Sequence, residues 1–243
     1  MNEEARVSTG VPGLDKMLRG GFLRGTVNLV RGAAGTGKTS LAFQFLAEGA
    51  RLGEPGIFIT FEEFPDSLYR DAESLGIDLR RLEAEGKIHI IFTSPEVLLK
   101  SLQTSDSTIS QRLMSANIRR AVLDSATHFN RLTDDRVELR KIYTTLVHSL
   151  QREQITSLLL SEERRTEYQR VDQGALSFLA DSIILLRYVE IESEIQRAIV
   201  VLKQRGSDHD RQIRHYMIRE GGLAIGEPFS GRRSLLTGIS QRA

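Results

Sequence analysis

Short apolar runs alternate along this chain with longer segments in which apolar residues recur at helical spacing. Each short run predicts a buried strand, and these runs lie at 26–30, 57–61, 88–92, 121–124 and 156–161. Helices are predicted at 40–46 and 67–75, and a further helix presents one apolar face made of Leu139, Ile142, Tyr143, Leu146 and Leu150. Strands that alternate with helices are typical of a mostly parallel sheet with helices on both faces, so we predict an α/β fold.

The last third of the chain has a different pattern. Residues 182–189, 198–203 and 215–218 are apolar enough to be strands, but their connections are short and contain no long helix. This pattern predicts an antiparallel extension of the parallel core. Because no stretch rich in Pro, Gly or Ser divides the chain, we predict a single domain over 1–230, followed by a basic C-terminal tail at 231–243.

Composition narrows the class of protein. A chain of 243 residues with 40% hydrophobic and 27% charged residues is ordinary for a globular protein with a substantial core. The net charge of +1 gives no general attraction to nucleic acid or membranes, and the lack of cysteine excludes disulfides and thiolate metal sites. The N-terminus has no signal-peptide pattern, and no apolar run approaches the ~18 residues of a membrane span. We therefore expect a cytoplasmic protein without membrane contact.

Residues 32–39 match the phosphate-binding loop G-x-x-x-x-G-K-[ST], between a predicted strand and a predicted helix. The glycines let consecutive N–H groups point at an anion, and the helix offers its positive N-terminal end. Lys38 can reach the β- and γ-phosphates, and the Thr39 hydroxyl is placed to ligate Mg²⁺. A glycine turn that merely joins strand to helix is the weaker interpretation. The residues expected to bind a nucleoside triphosphate are Gly35, Thr36, Gly37, Lys38, Thr39 and Ser40.

Acidic residues follow two of the predicted strands. Asp124 comes after an apolar run and before a loop, where a phosphate loop needs an acid to grip a Mg²⁺-bound water and the Thr39 hydroxyl. Glu62 and Glu63 end the second strand, at the edge where loops converge on ligands. Adjacent carboxylates raise one another's pKa, which suits a general base that activates water. A solvated acidic pair in a surface turn is the alternative.

A basic segment near the C-terminus is the third candidate. Lys203 and Arg205 lie two residues apart in a predicted strand and so share a face, Gly206 permits a turn that presents His209, and Arg197 comes before them. Two cations on one face could stabilise charge on a transferring phosphoryl group, and a neighbouring subunit could supply them. A solvated basic face at a sheet edge, which guards against aggregation, is the alternative.

Several motifs together resemble the KaiC-like branch of the RecA superfamily, over about residues 7 to 230. The most specific is a late block that runs from 186–190 to 203–210. The other motifs lie in the family's order, at 8–15, 20–25, 32–39, 61–63 and 123–125. The resemblance implies a RecA-like P-loop ATPase that assembles into a ring, commonly a hexamer, with ATP and Mg²⁺ bound between subunits.

The resemblance also implies roles for individual residues. Glu62 and Glu63 would activate water or a hydroxyl, and Ser74 would lie near the nucleotide base. The residues that would reach the neighbouring subunit's ATP are Lys203, Arg205 and His209, with Arg197 and Ser207 beside them.

The chain departs from the clock members of this family in two respects. They carry two such domains in tandem, whereas this chain has one. Where the kinase half of a clock protein phosphorylates an adjacent Ser-Thr pair, the matching residues here are Ser177 and Phe178. Only Ser177 could therefore accept a phosphate, and a weak serine autokinase activity is a secondary expectation.

Three functions remain open from the sequence. The leading one is a Mg²⁺-dependent ATPase that forms a homo-oligomer and serves regulation or signalling, with a regulatory protein partner. The second is an ATP-dependent assembly module with negligible turnover. The third is a RecA- or RadA-like nucleic-acid motor, which is disfavoured because the chain has no Trp and only 6% aromatic residues. The polar segments considered for strand binding are 101–117 and 162–170.

Overall fold

The computed structural model describes residues 6–103, 116–163, 175–230, 232–233, 235 and 241–242. The strands are β1 (Arg6–Val7), β2 (Phe22–Leu23), β3 (Val27–Gly32), β4 (Gly56–Thr60), β5 (Ile88–Phe92), β6 (Arg120–Asp124), β7 (Thr156–Glu162), β8 (Ser182–Ile191), β9 (Glu194–Gln204), β10 (Arg214–Arg219), β11 (Gly222–Pro228), β12 (Arg232–Arg233) and β13 (Gln241–Arg242). The helices are α1 (Pro12–Met17), α2 (Lys38–Arg51), α3 (Pro65–Glu73), α4 (Leu79–Ala84), α5 (Pro95–Gln103), a 3-10 helix (Ala126–Arg131), α6 (Arg136–Arg152) and α7 (Ala175–Leu179).

A nine-stranded sheet organises the described chain, in the order β11-β10-β9-β8-β3-β7-β6-β4-β5. From β8 to β5 every neighbouring pair is parallel. The pairs from β8 outward to β11 are antiparallel. These findings confirm the predicted α/β fold, with a mostly parallel sheet and an antiparallel C-terminal extension.

The extension begins one strand later than the sequence predicts. Residues 182–189 were expected to be antiparallel, but β8 pairs with β3 in parallel, from Asn28 opposite Ser182 to Gly32 opposite Leu186. The chain between β7 and β8, which includes α7, returns to the edge where β3 starts, so β8 runs in the same direction.

Strand β11 and helix α4 were not predicted at all, because neither has a long apolar pattern.

The parallel strands are covered on both faces. On one face α2, α3 and α4 pack against residues such as Phe58 and Val122. On the other face α5 and α6 pack against residues such as Ile59 and Leu123. Burial on both faces explains why these strands are continuous apolar runs in the sequence rather than alternating ones.

The antiparallel extension rests on a tight hairpin between β8 and β9. Its two-residue turn is Glu192 and Ser193, with φ angles of 53° and 66°. Positive φ at both central residues is the geometry that matches the twist of two antiparallel strands.

At the C-terminal end, β12 pairs with β13 within the predicted basic tail. No helix among the described residues has both the length and the apolar character needed to cross a membrane.

Candidate nucleotide-binding site

The phosphate loop joins β3, near the centre of the sheet, to α2. Gly35 and Gly37 have φ angles of +76° and +90°, a conformation that other residues rarely adopt. A Cβ atom on Gly37 would lie 2.5 Å from Cδ1 of Ile218, and one on Gly35 would lie 2.8 Å from the Tyr188 hydroxyl oxygen. The loop therefore needs glycine both for its backbone and for its close approach to β8 and β10.

Lys38 is folded back over its own loop. Its Nζ donates to the carbonyl oxygens of Gly32 at 2.9 Å and Ala33 at 3.0 Å. Burial lowers the pKa of Lys38, and the nearby Asp124 and Glu162 oppose that shift. Lys38 is half-buried, and within the described chain its ammonium group donates to carbonyl oxygens, which a phosphate could replace as hydrogen-bond acceptors.

Thr36 and Ser40, two further residues of the predicted set, differ in how far their side chains are exposed. Thr36 is fully buried, its hydroxyl donates to Ala33 O at 2.8 Å, and its carbonyl oxygen accepts from the Tyr216 hydroxyl. Its side chain is therefore committed to the fold, and a phosphate could meet Thr36 only through the backbone. Ser40 lies half-buried in the first turn of α2.

The structure brings the predicted metal residues together. The Thr39 hydroxyl donates to Oδ2 of Asp124 at 2.9 Å, across 85 residues of sequence. Burial raises the pKa of Asp124, while the hydrogen bond from Thr39 lowers it. Hydroxyl and carboxylate oxygens beside a phosphate loop are ligands that suit Mg²⁺. Among the described residues no cluster of three or more His, Asp or Glu side chains could hold a metal ion.

Glu62 and Glu63 lie at the same edge of the sheet as Asp124, because β4 and β6 are neighbours and Thr60 is opposite Asp124. Oε1 of Glu62 lies 3.1 Å from Nε2 of His128 and 3.6 Å from Nη2 of Arg131. No cation among the described side chains lies within 4.0 Å of the Glu63 carboxylate. Partial burial raises the pKa of Glu63, and Asp124, Asp71 and Glu62 add to that shift. The two adjacent carboxylates therefore differ in environment: Glu62 contacts basic side chains, whereas acidic neighbours surround Glu63.

Lys203 and Arg205 lie at the opposite edge of the sheet. The register places Lys203 opposite Ile183, and Ile183 opposite Leu29, near the start of β3. Three residue steps separate Leu29 from Gly32, which is about 10 Å along the strands. The backbone that carries these cations therefore lies away from the phosphate loop of the same chain.

Both cations are held by the C-terminal carbonyl groups of α7. Nζ of Lys203 donates to Ala180 O at 2.6 Å and to Ser177 O at 3.1 Å, and Nη2 of Arg205 donates to Phe178 O at 2.6 Å. Burial lowers the pKa of Lys203, with a further contribution from Arg205. The two cations therefore share one surface of the chain.

Arg197 does not belong to that group, which corrects the predicted cluster. It lies opposite Tyr188 in the register of β8 and β9, and its guanidinium carbon is 5.6 Å from the centre of the Tyr188 ring. A Cβ atom on Gly35 would touch the same tyrosine. Arg197 is thus on the phosphate-loop side of its own subunit, because β9 spans the whole height of the sheet.

The remaining predicted residues lie further from the loop. Ser207 accepts from Nη2 of Arg6 at 2.7 Å. His209 is half-buried beside Asp210, whose backbone N–H donates to Met17 O. Ser74 is exposed at the end of α3, where Leu75 O accepts from Gly221 N in the turn between β10 and β11.

A buried ion cluster behind the loop was missed by the sequence analysis. Oε1 of Glu163 lies 3.1 Å from Nη2 of Arg187 and 3.6 Å from Nη2 of Arg31, and Glu163 N donates to Gly32 O. Three charges far apart in the chain give no local signal, since only the parallel register of β7, β3 and β8 brings them together. His128 was missed for the same reason.

A cavity of about 460 Å³ opens beside Glu62 at this edge of the sheet. Its wall includes Thr127, His128, Arg131 and Glu162.

The two polar segments considered for nucleic-acid binding lie mostly outside the described residues. Of 101–117 the structure describes only the two ends, and of 162–170 it describes only Glu162 and Glu163.

Comparison with known proteins identifies the family. A family model described as the KaiC ATPase matches residues 7–230. The circadian clock oscillator protein KaiC of Picosynechococcus sp. is 36% identical over 244 residues, covering 99% of this chain and 46% of that relative. The KaiC proteins of Rippkaea orientalis and Prochlorococcus marinus are 35% and 33% identical, each over 99% of this chain and over 46% and 48% of the relatives.

The chain thus spans about half the length of these relatives. The match runs through the phosphate loop, Asp124, the glutamate pair and the late basic segment, which are the motifs that carried the resemblance. This chain belongs to the KaiC family of ATPases.

Proposed function

We propose that this protein hydrolyses ATP with Mg²⁺ as a homo-oligomeric ring, commonly a hexamer in this family, in which the cations of one subunit complete the phosphate loop of the next. The observation that carries the proposal is the division of the two groups of residues between opposite edges of one sheet. A head-to-tail contact, repeated around a closed ring, brings such opposite surfaces together at every interface.

The residues present fit a magnesium ion with a nucleoside triphosphate. Thr39 and Asp124 would hold it, through the hydroxyl and, by way of water, the carboxylate, which already contact each other. When bound, the ion neutralises charge on the β- and γ-phosphate oxygens.

The chain's own residues supply the remaining functions. Lys38 leaves the Gly32 and Ala33 carbonyl oxygens to bind the phosphates. Glu62 or Glu63 accepts a proton from the attacking water. The water oxygen bonds to the γ-phosphorus, while the bond between that phosphorus and the bridging oxygen of ADP breaks. Lys203 and Arg205 of a neighbouring subunit stabilise the charge that develops on the transferring group.

A regulatory or signalling role, with a protein partner that reads the nucleotide state, follows by family analogy. The relatives are named as circadian clock proteins, and this chain spans about half their length. Self-phosphorylation at Ser177 is less favoured, since Ser177 is buried in α7 and its neighbour Phe178, which is exposed, has no hydroxyl group.

Phosphate release from ATP by the purified protein tests the proposal. We expect Mg²⁺-dependent release, and a loss of about 100-fold in the Glu62→Gln/Glu63→Gln double variant, because general-base catalysis has that scale. Glu153→Gln, at an exposed position just after α6, is the matched control and should keep the wild-type rate. Equal rates in wild type and double variant would remove the carboxylates from the mechanism.

Light scattering with and without ATP tests the ring. A monomer under both conditions would contradict the shared site. Assembly on ATP without phosphate release would support the alternative of an assembly module. Salt-sensitive binding of single-stranded DNA would support the nucleic-acid motor.

A further inference from the structure

The carboxylate of Glu62 is tied to a buried histidine from another part of the sheet. Glu62 follows β4, whereas His128 belongs to the 3-10 helix after β6, and Nε2 of His128 lies 3.1 Å from Oε1 of Glu62. The contact thus connects the segment after β4, which carries Glu62 and Glu63, with the segment after β6, which follows the candidate magnesium ligand Asp124.

His128 is a rigid support, whereas the second cation on Glu62 is not. The His128 residue is 8% exposed, its ring meets Phe61 edge-on at 5.7 Å, and its backbone N–H donates to Ser125 O. The Arg131 side chain is 74% exposed and lies 3.6 Å from the same oxygen. An exposed ion pair of that kind contributes little, since solvent screens it and the long side chain loses entropy.

The contacts of Glu62 leave its carboxylate open to water. Its shortest contacts with His128 and Arg131 both end on Oε1, and 63% of the side chain is exposed. The contact with His128 reaches across from another strand, so it limits the positions that this exposed side chain can adopt. No cation among the described side chains lies within 4.0 Å of the Glu63 carboxylate.

We propose that His128 is a positioning residue that orients Glu62 for proton abstraction in ATP hydrolysis. This inference rests on the proposed ATPase function. It assigns His128 no contact with the nucleotide, and it makes Glu62, rather than Glu63, the carboxylate that is held ready to activate water.

Three variants test the inference in the full-length protein. His128→Leu removes the ring nitrogen that contacts Glu62 and keeps much of the volume, so kcat should fall about 10-fold to 100-fold with KM for ATP unchanged within about twofold. His128→Gln keeps a polar side chain of similar reach and should retain kcat within about threefold. His148→Leu, at an exposed position on α6, is the matched control and should equal wild type.

The decisive measurement repeats His128→Leu in a Glu62→Gln background. If His128 acts through Glu62, the second substitution lowers kcat no further, since residues that act as a unit are not additive. An equal fall in both backgrounds, or wild-type kcat in His128→Leu, would overturn the inference. Failure of Gln to rescue when both variants share the wild-type melting temperature would overturn it too. A wild-type protein that releases no phosphate would instead contradict the ATPase proposal itself.

Discussion

Lys203 donates from Nζ to the carbonyl oxygen of Ala180 at 2.6 Å, on the edge of the sheet opposite the phosphate loop. Ser177 and Phe178 offer their carbonyl oxygens to Lys203 and Arg205 in the same way. The end of α7 thus keeps two like charges side by side on one surface. The carboxylate of Asp181 lies near them, with Oδ1 at 3.8 Å from Nη1 of Arg205.

Mixing two impaired variants tests whether the site is shared. Lys203→Met and Glu62→Gln should each keep only a small residual rate alone, but a reassembled 1:1 mixture should recover about a quarter of the wild-type phosphate release. Random pairing places an intact Glu62 against an intact neighbouring Lys203 at that fraction of interfaces.

A mixture of Glu62→Gln with Lys38→Met is the control for that experiment. Both defects then lie in the phosphate-loop half of the site, so no interface is intact and the rate should stay at the residual level of the separate variants. Recovery in the control, or none in the first mixture, would contradict a site completed by the neighbouring subunit.

The contact between Thr39 and Asp124 predicts the response to magnesium. Thr39→Val removes the hydroxyl but keeps the shape, so phosphate release should need a higher Mg²⁺ concentration and should fall about 10-fold or more at saturation. Thr39→Ser keeps the hydroxyl and should stay near wild type. A titration of the rate against Mg²⁺ distinguishes them, and identical curves for Val and Ser would remove Thr39 from the metal site.

The raised pKa of Glu63 predicts a pH-dependent stability difference. Partial burial and the neighbouring acids disfavour its charged form, so the folded state loses stability as the pH rises from the unfolded-state pKa through the higher folded-state pKa. Glu63→Gln removes this cost and should raise the melting temperature at pH 7, with the difference disappearing in acid.

Glu62→Gln is the comparison for that measurement. It weakens the contacts of Oε1 with His128 and Arg131, so it should not stabilise the protein at pH 7. A melting temperature for Glu63→Gln that equals or falls below wild type at neutral pH would count against the electrostatic explanation.

The buried Arg120 predicts a marked loss of stability when its counter-charge is removed. Its Nε and Nη2 contact Glu54 at 2.8 Å and 2.6 Å, and Nη1 donates to Ser8 O and Phe45 O. Glu54→Gln should therefore destabilise the protein by about 2–3 kcal/mol, since it leaves a buried guanidinium without its counter-charge.

Arg24→Met is the matched control in a chemical-unfolding experiment. Arg24 contacts the same glutamate at 2.7 Å from an exposed position, so its loss should cost less than about 1 kcal/mol. Equal losses in the free energy of unfolding for the two variants would mean that the burial of Arg120 does not determine the size of the effect.

Much of the fold and part of the site were predictable from local patterns. Continuous apolar runs identified the strands that are buried on both faces, and β5 has the predicted limits of 88–92. The phosphate loop could be identified from eight consecutive residues, because its backbone conformation and its ligand contacts depend on short-range chemistry. Asp124 could be placed beside it because parallel strands share a carboxyl edge.

The sequence by itself thus determined the family, the strands of the parallel core and the position of the phosphate-loop motif. Only the tertiary structure decided that β8 is parallel to β3, that Arg197 lies apart from Lys203, and that His128 supports Glu62. Each of these depends on which strands become neighbours and in what register. Strand order and register depend on burial summed over the whole sheet, and no short segment of sequence specifies them.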